Sequence, residues 1–476
     1  MTQLRILAPV VVDYYAVPGA SLRDPTAYAQ FWAEQQPALD ALLDGLAPAP
    51  GTDGSGPPST VVLEHTRATS SLNLYRTISD HAVERPLHVL TGMLRPRHLP
   101  DEFDGATDCL HRGVVEISFR LYDHGLMLLE MLADVAPSLT EHIDGLDARL
   151  DDLQAQAVAM GERVARETAH RYLDPILRLL RAADRDERIL VAATPEDDPV
   201  AAEFGEPLWV TRSLVVDPSE PGAEHVVRHW IKDVVMAGDS RAPAERLLNG
   251  EINHLVRWLN YIFIDRTGAG GRMLPGDPFR DQWDALRYAQ VFYGVLDRID
   301  TRLSKILADS AAAAGSRWEL EQLKGQLVSL SQRAELIIME RQNLSKYLKR
   351  AVRVEMDAIL EFWDYEDLLA QPVRFKVGVC DRRLAELAAR RTARSVMFTD
   401  LILLGIAVTS ILGTALSVTE FGRSIANDPD MAIYDLGRSS IVEWVASQPA
   451  DAILVTSGVV SVLLVVVYLF FRRDNS

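Results

Sequence analysis

The sequence predicts an α/β cytoplasmic domain, then long helices forming a coiled-coil stalk, then a C-terminal two-helix transmembrane hairpin. Three observations predict this. GVVEISFRLY (Gly113–Tyr122) sets Ile117, Phe119 and Leu121 on one face and Glu116, Ser118 and Arg120 on the other, the period-2 pattern of a half-buried strand. From Leu320 onward, apolar residues recur at alternating steps of three and four. Near the C-terminus stand two apolar runs on the order of the 20 residues a bilayer requires.

The α/β domain is expected over residues 1–275. LRILAPVVVDYY opens it as a strand: the first residues have a single early Arg5 and then Asp13, with no basic leader segment. Pro25–Leu46 predicts a helix, and APAPGTDGSGPPS after it a solvated loop. TVVLEH, LHVLTGML, RILVAA and LWVTRSLVV are further strand candidates. Asp123-His124-Gly125 supplies turn chemistry, so LMLLEML pairs back as a hairpin partner. A long helix is expected from about Leu139 to Ala183. The glycine cluster TGAGGRMLPGDP (Thr267–Pro278) marks the domain boundary.

Residues 276–394 read as helical stalk. WDALRYAQVFYGVLDRIDTRLSKIL is one amphipathic helix, interrupted by SAAAAGS. Leu320, Leu323, Leu327, Leu330, Ala334, Ile337, Leu344, Leu348 and Ala351 form a heptad seam broken by Arg341. Pro372 is expected to end this helix. Val373, Val377, Cys380, Leu384 and Leu387 restart the spacing, and no proline separates Leu387 from Val418. A helix from Val373 to Val418 would run roughly 70 Å at 1.5 Å per residue.

The spans are read at 395–418 and 452–471, joined by an outward-facing acidic loop, 419–451, and followed by a cytoplasmic tail, 472–476. Asp400 is the only charge in either span. Arg382, Arg383, Arg390, Arg391 and Arg394 precede the first, and Arg472 and Arg473 follow the second. The loop between is acidic. This asymmetry predicts a multi-pass inner (plasma) membrane protein with both termini cytoplasmic.

On a helical wheel of the first span, Thr399, Ser410, Gly413 and Ser417 share a stripe with Leu403 and Ile406. Thr409 and Thr414 flank it, and Asp400 lies beyond its edge. Two readings stay open. Small residues let helices pack closely, and hydroxyls can bond back to their own helix. Alternatively, copies of this helix surround an ion path, with Leu403 and Ile406 as an apolar constriction.

The net charge of −18 argues against nucleic acid as a partner, since phosphate binding needs clustered Lys and Arg. The two cysteines, Cys109 and Cys380, form no CxxC pair and suggest no disulfide framework. Asp364, Glu366 and Asp367 in FWDYEDLL could bind a divalent cation through oxygen ligands, or form a solvated acidic face. His225 and His229 stand at i, i+4, but Val226 occupies the place of a metalloprotease glutamate. TGAGGR lacks the Lys-Ser or Lys-Thr of a P-loop. No GxSxG appears and no enzyme is expected.

An acidic α/β domain, a very long helix entering the membrane, a second span and a short basic tail resemble the CorA-like family of divalent-cation transporters. The resemblance is one of layout. The family's Gly-Met-Asn sequence is absent, and the chain reads SVTEFGRSIANDPD there. The resemblance implies a homo-oligomer, pentameric as in the family, in the lipid bilayer. It also implies a pore lined by the first span, and magnesium or another divalent cation as the regulating ion. The function expected is a cation channel or transporter gated by its cytoplasmic domain. The competing expectation is a membrane-anchored ligand-sensing or interaction module, in stress signalling or defence, without ion conduction.

Overall fold

The fold is that of a computed structural model. It describes residues 2–16, 25–46, 61–62, 88–94, 110–122, 124–135, 144–184, 190–192, 203–232, 241–267, 277–312, 317–344 and 348–427. Toward the C-terminus it adds 440, 444, 447–449, 451–452 and 455–463. Two compact units emerge, Met1–Ala313 with Arg317–Asp381, and Ala314–Ser316 with Arg382–Ser476.

The first unit is built on a mixed sheet. Its strands are β1 (Gln3–Ala16), β2 (Val61–Val62), β3 (His88–Leu94), β4 (Leu110–Tyr122), β5 (His124–Val135), β6 (Leu190–Ala192), β7 (Thr211–Val216), β8 (His254–Val256) and β9 (Asn260–Ile264). The order across the sheet is β2-β3-β4-β5-β1-β7-β9-β8, with β6 pairing the far end of β1. Only β7 and β9 pair in parallel; the other described pairings are antiparallel. The parallel step is what a crossover through helices imposes. Here the chain between β7 and β9 carries α4 (Ala223–Trp230) and α5 (Arg241–Leu248).

Alternation in β1 divides the domain. Leu4, Ile6, Ala8 and Val10 enter the main core with Met127, Leu129 and Met131 of β5 and Ile117 and Phe119 of β4. Against this face pack α1 (Pro25–Leu46), α2 (Leu146–Thr168), α3 (Asp174–Ala183), α4 and α5. Helix α2 buries Leu146, Leu150, Leu153, Ala157, Gly161, Val164 and Ala165, a stripe at steps of three and four. At Gly161 the approach is so close that an added Cβ would lie 2.7 Å from Val210 Cγ1 and 3.3 Å from Ile6 Cγ2.

The opposite face carries Arg5, Leu7, Ser118, Arg120, Glu130, Thr211 and Ser213. Helix α6 (Arg280–Ala312) covers it, contacting β5 and β1. Helices α7 (Arg317–Leu344) and α8 (Arg350–Phe362) pack on α6 in turn. The heptad seam is buried from Leu320 to Leu348. Ala351 is exposed and Val352 buried instead, because the chain breaks between α7 and α8 and the phase resets.

The strand expectations agree with β1, β3, β4, β5, β6 and β7, and Pro25–Leu46 is a helix over its expected length. The expected helix over 139–183 is two helices separated by a π-helical turn, Ala169–Leu173, standing just before Pro175. A second π-helical turn, Glu366–Ala370, stands just before Pro372. Proline has no N–H to donate and crowds the carbonyl four residues back, so the turn ahead of it widens. Pro372 therefore does not end a helix. It follows closely on the π-helical turn, and α9 (Gln371–Asn427) continues beyond it. The stop falls earlier, at Phe362, followed by Asp364 with φ at 50°.

In the second unit α9 continues unbroken to Asn427. Among the described residues, no helix is long and apolar enough to cross a membrane. This overturns the expected transmembrane hairpin. The multi-pass inner-membrane placement, the cation channel and the membrane-anchored sensing module fall with it, since each needs a span. Between Ile402 and Ser417, the small and hydroxyl-bearing residues Gly405, Thr409, Ser410, Gly413, Thr414 and Ser417 stand among the apolar ones. Residues 464–471 of the second expected span lie outside the described residues, as do 428–439 of the acidic loop.

Candidate functional site

The residues expected to line a pore lie on α9. Thr399 and Asp400 belong to the helix, but their side chains lie outside the described residues. Leu403, Ile406, Thr409, Ser410, Gly413, Thr414 and Ser417 are all exposed. The Thr409 hydroxyl donates to the carbonyls of Gly405 and Ile406, both at 2.9 Å. The Thr414 hydroxyl donates to Ser410 O at 2.8 Å. Both bond back to their own helix, as in the packing alternative, and the lining role goes with the channel. What the described flank presents outward is apolar: Ile402, Leu403, Ile406, Leu416 and Phe421 are 47–61 % exposed. Gly405 and Gly413 have no atom within 4 Å of an added Cβ.

The acidic trio does not converge. Glu366 accepts from Arg374 Nη1 at 3.0 Å and lies 3.7 Å from Arg341. Asp367 accepts from Gln371 Nε2 at 3.3 Å. Asp364 holds the left-handed turn after α8, and its carbonyl accepts from Leu368 N at 2.8 Å. Among the described residues, no group of three or more His, Cys, Asp or Glu is arranged to hold a metal ion.

The densest ionic constellation sits under α6, where no motif pointed. Glu130, fully buried on β5, accepts from Arg5 of β1, from Arg120 of β4 at 2.9 Å, and from Arg287 of α6 at 2.9 and 3.1 Å. Arg5 also reaches Asp277 at 3.3 Å and lies 4.0 Å from the centre of the Trp283 ring. Arg287 is shared with Asp284 at 2.5 Å. Burial would raise the Glu130 carboxyl. The opposing guanidinium groups of Arg287, Arg5 and Arg120 win, holding it well below the usual carboxylate range. The same burial raises Glu116, reinforced by its neighbour Glu130. Burial also pushes the Tyr122 hydroxyl up to about 12. The arrangement fastens strand to helix; with every Glu130 oxygen engaged by a cation, it offers no open base.

Histidine–carboxylate contacts form a second set. His124 of β5 lies 2.6 Å from Glu340 of α7, and His254 of β8 lies 2.8 Å from Glu355 of α8. His225 and His229, the i, i+4 pair of α4, face Asp147 and Asp151, an i, i+4 pair of α2. Sequence spacing showed one half of that constellation. Its other half is 78 residues away and only the packing of α4 on α2 joins them. No family model, no curated protein and no solved structure matches the chain.

Proposed function

We propose that the protein works as a self-assembling module, in which identical copies associate through the exposed flank of α9 and each presents its α/β head. One observation carries this reading: the outward apolar run of Ile402, Leu403, Ile406, Leu416 and Phe421 on a helix whose threonine hydroxyls are turned back on its own carbonyls. Exposed large apolar side chains gathered on one helix flank mark an interaction surface, and burying them is favourable by about 25 cal/mol per Å². Gly405 and Gly413 leave room for a second helix to approach closely. A second copy is the occupant that needs no other partner, and identical chains close into symmetric assemblies.

The experiment is sedimentation velocity on the full chain beside Ile406→Lys and Leu403→Lys. The full chain should sediment as one defined oligomer, and each variant as a smaller species with unchanged far-UV circular dichroism. A full chain that stays monomeric at tens of micromolar would remove the proposal.

A further inference from the structure

We infer that the α9 flank of one copy docks on the valine face of the C-terminal helix of the next, so that unlike surfaces join. The inference rests on the self-assembly proposed above and names the surface that receives α9.

Residues 455–463 are helical. Their two faces are opposite in kind. Ser457 and Ser461, one turn apart, are 8 % and 5 % exposed, and the Ser461 hydroxyl donates to Ser457 O at 2.8 Å. At about 100° per residue, Val455, Val459, Val462 and Leu463 share a stripe on the other side, with Val460 flanking it. These five are 45–65 % exposed. A surface helix of a globular chain turns its large apolar side chains inward and its polar groups out. This one does the reverse. Its serine face is covered by its own chain, and its valine face is left for another surface.

Three observations select the occupant. The first is charge. No charged residue stands between Asp451 and Arg472, and none between Asp400 and Glu420. The two surfaces therefore match, and neither strands a charge when they meet, which would be costly. The second is size. A stable interface takes about 20–30 residues a side and buries about 800 Å² per partner. Ile402, Leu403, Ile406, Leu416 and Phe421 are too few by themselves, and the valine face doubles the large apolar side chains engaged. The third is coverage. Two α9 flanks laid on each other would leave both valine faces bare. Flank on valine face covers both kinds of surface at once, and the open Gly405 and Gly413 give compact valine side chains room to approach. A contact between unlike surfaces repeats from copy to copy and closes into a ring where the rotation allows.

The test is sedimentation velocity on full-length variants, alone and mixed. Val459→Lys alone should sediment as a monomer, as Ile406→Lys does, with unchanged far-UV circular dichroism. Val455→Lys, at an equally open position, should repeat the result. An equimolar mixture of Ile406→Lys and Val459→Lys should then contain a two-chain species. The flank of the Val459→Lys copy and the valine face of the Ile406→Lys copy are both intact, so one contact re-forms. A Val459→Lys chain that still forms the full-chain oligomer, or a mixture that holds only monomers, overturns this contact while self-assembly stands. A monomeric full chain removes self-assembly itself, and the inference with it.

Discussion

Arg287 of α6 grips Glu130 of β5 through two parallel hydrogen bonds, Nε to Oε2 at 2.9 Å and Nη2 to Oε1 at 3.1 Å. The fork geometry is the strong form of the guanidinium–carboxylate pair. Glu130 is fully buried and also holds Arg5, itself 1 % exposed. Removing the carboxylate leaves buried guanidinium charge without its partner. Glu130→Gln should therefore cost about 3–5 kcal/mol, the range for breaking a buried pair from one side. Urea unfolding measures it, and a loss under 1 kcal/mol would show that water already reaches the cluster.

The same residue sets an acid limit. Its carboxyl is held low, so the stability it contributes is complete above the ordinary carboxylate value of about 4.3 and declines as pH falls toward the folded value. Glu116 is raised by burial, and Asp277 is raised mainly by burial too. Their ionised forms oppose folding, and protonating them relieves that cost. The Glu130 shift is the larger, so the net effect is destabilisation on acidification. Urea midpoints between pH 7 and pH 3 should fall steeply in wild type. In Glu130→Gln they should start lower and fall less. Parallel curves would assign the acid sensitivity elsewhere.

Two glycines in helices should respond oppositely to alanine. At Gly161 the new methyl would meet Val210 and Ile6 inside van der Waals contact, and overpacking costs about 1–3 kcal/mol. At Gly325 of α7 nothing lies within 4 Å, so only helix propensity changes, worth about 1 kcal/mol in favour of alanine. Thermal melts of Gly161→Ala and Gly325→Ala should shift in opposite directions. A shared direction would mean that α2 stands further from β1 than its burial indicates.

Much of the head was legible in the sequence, and the misses have physical causes. Strand β4 announced itself by alternation, and the α7 seam by heptad spacing. Strand β9 did not, because NYIFI is buried on both faces, and a short continuous apolar run looks alike in strand and helix. Pro372 misleads because the π-helical turn Glu366–Ala370 just before it accommodates a proline inside a continuing helix. The true stop, at Asp364, uses a left-handed residue that is not glycine. The Glu130 cluster left one faint trace: a single Arg5 in β1 and a single Glu130 in LMLLEML, each a lone charge inside an otherwise apolar stretch. Nothing in the sequence says that the two meet across 125 residues.

Asp364 itself separates a ligand role from a backbone role. Its φ of 50° is costly for a side chain and free for glycine, by about 1–2 kcal/mol less the extra entropy glycine has when unfolded. If its place in the chain is a matter of backbone, Asp364→Gly should match or exceed wild-type stability by up to about 1 kcal/mol. Asp364→Val should lose at least about 1 kcal/mol, since a β-branched residue tolerates the left-handed region worst. A carboxylate that mattered for a bound cation would give another pattern. Both variants would then lose equally, and magnesium would raise the melting temperature of wild type alone. Differential scanning fluorimetry of the three proteins, with and without magnesium, distinguishes the two outcomes. The engagement of Glu366 with Arg341 and Arg374 favours the first, because those guanidinium groups already neutralise the nearest carboxylate.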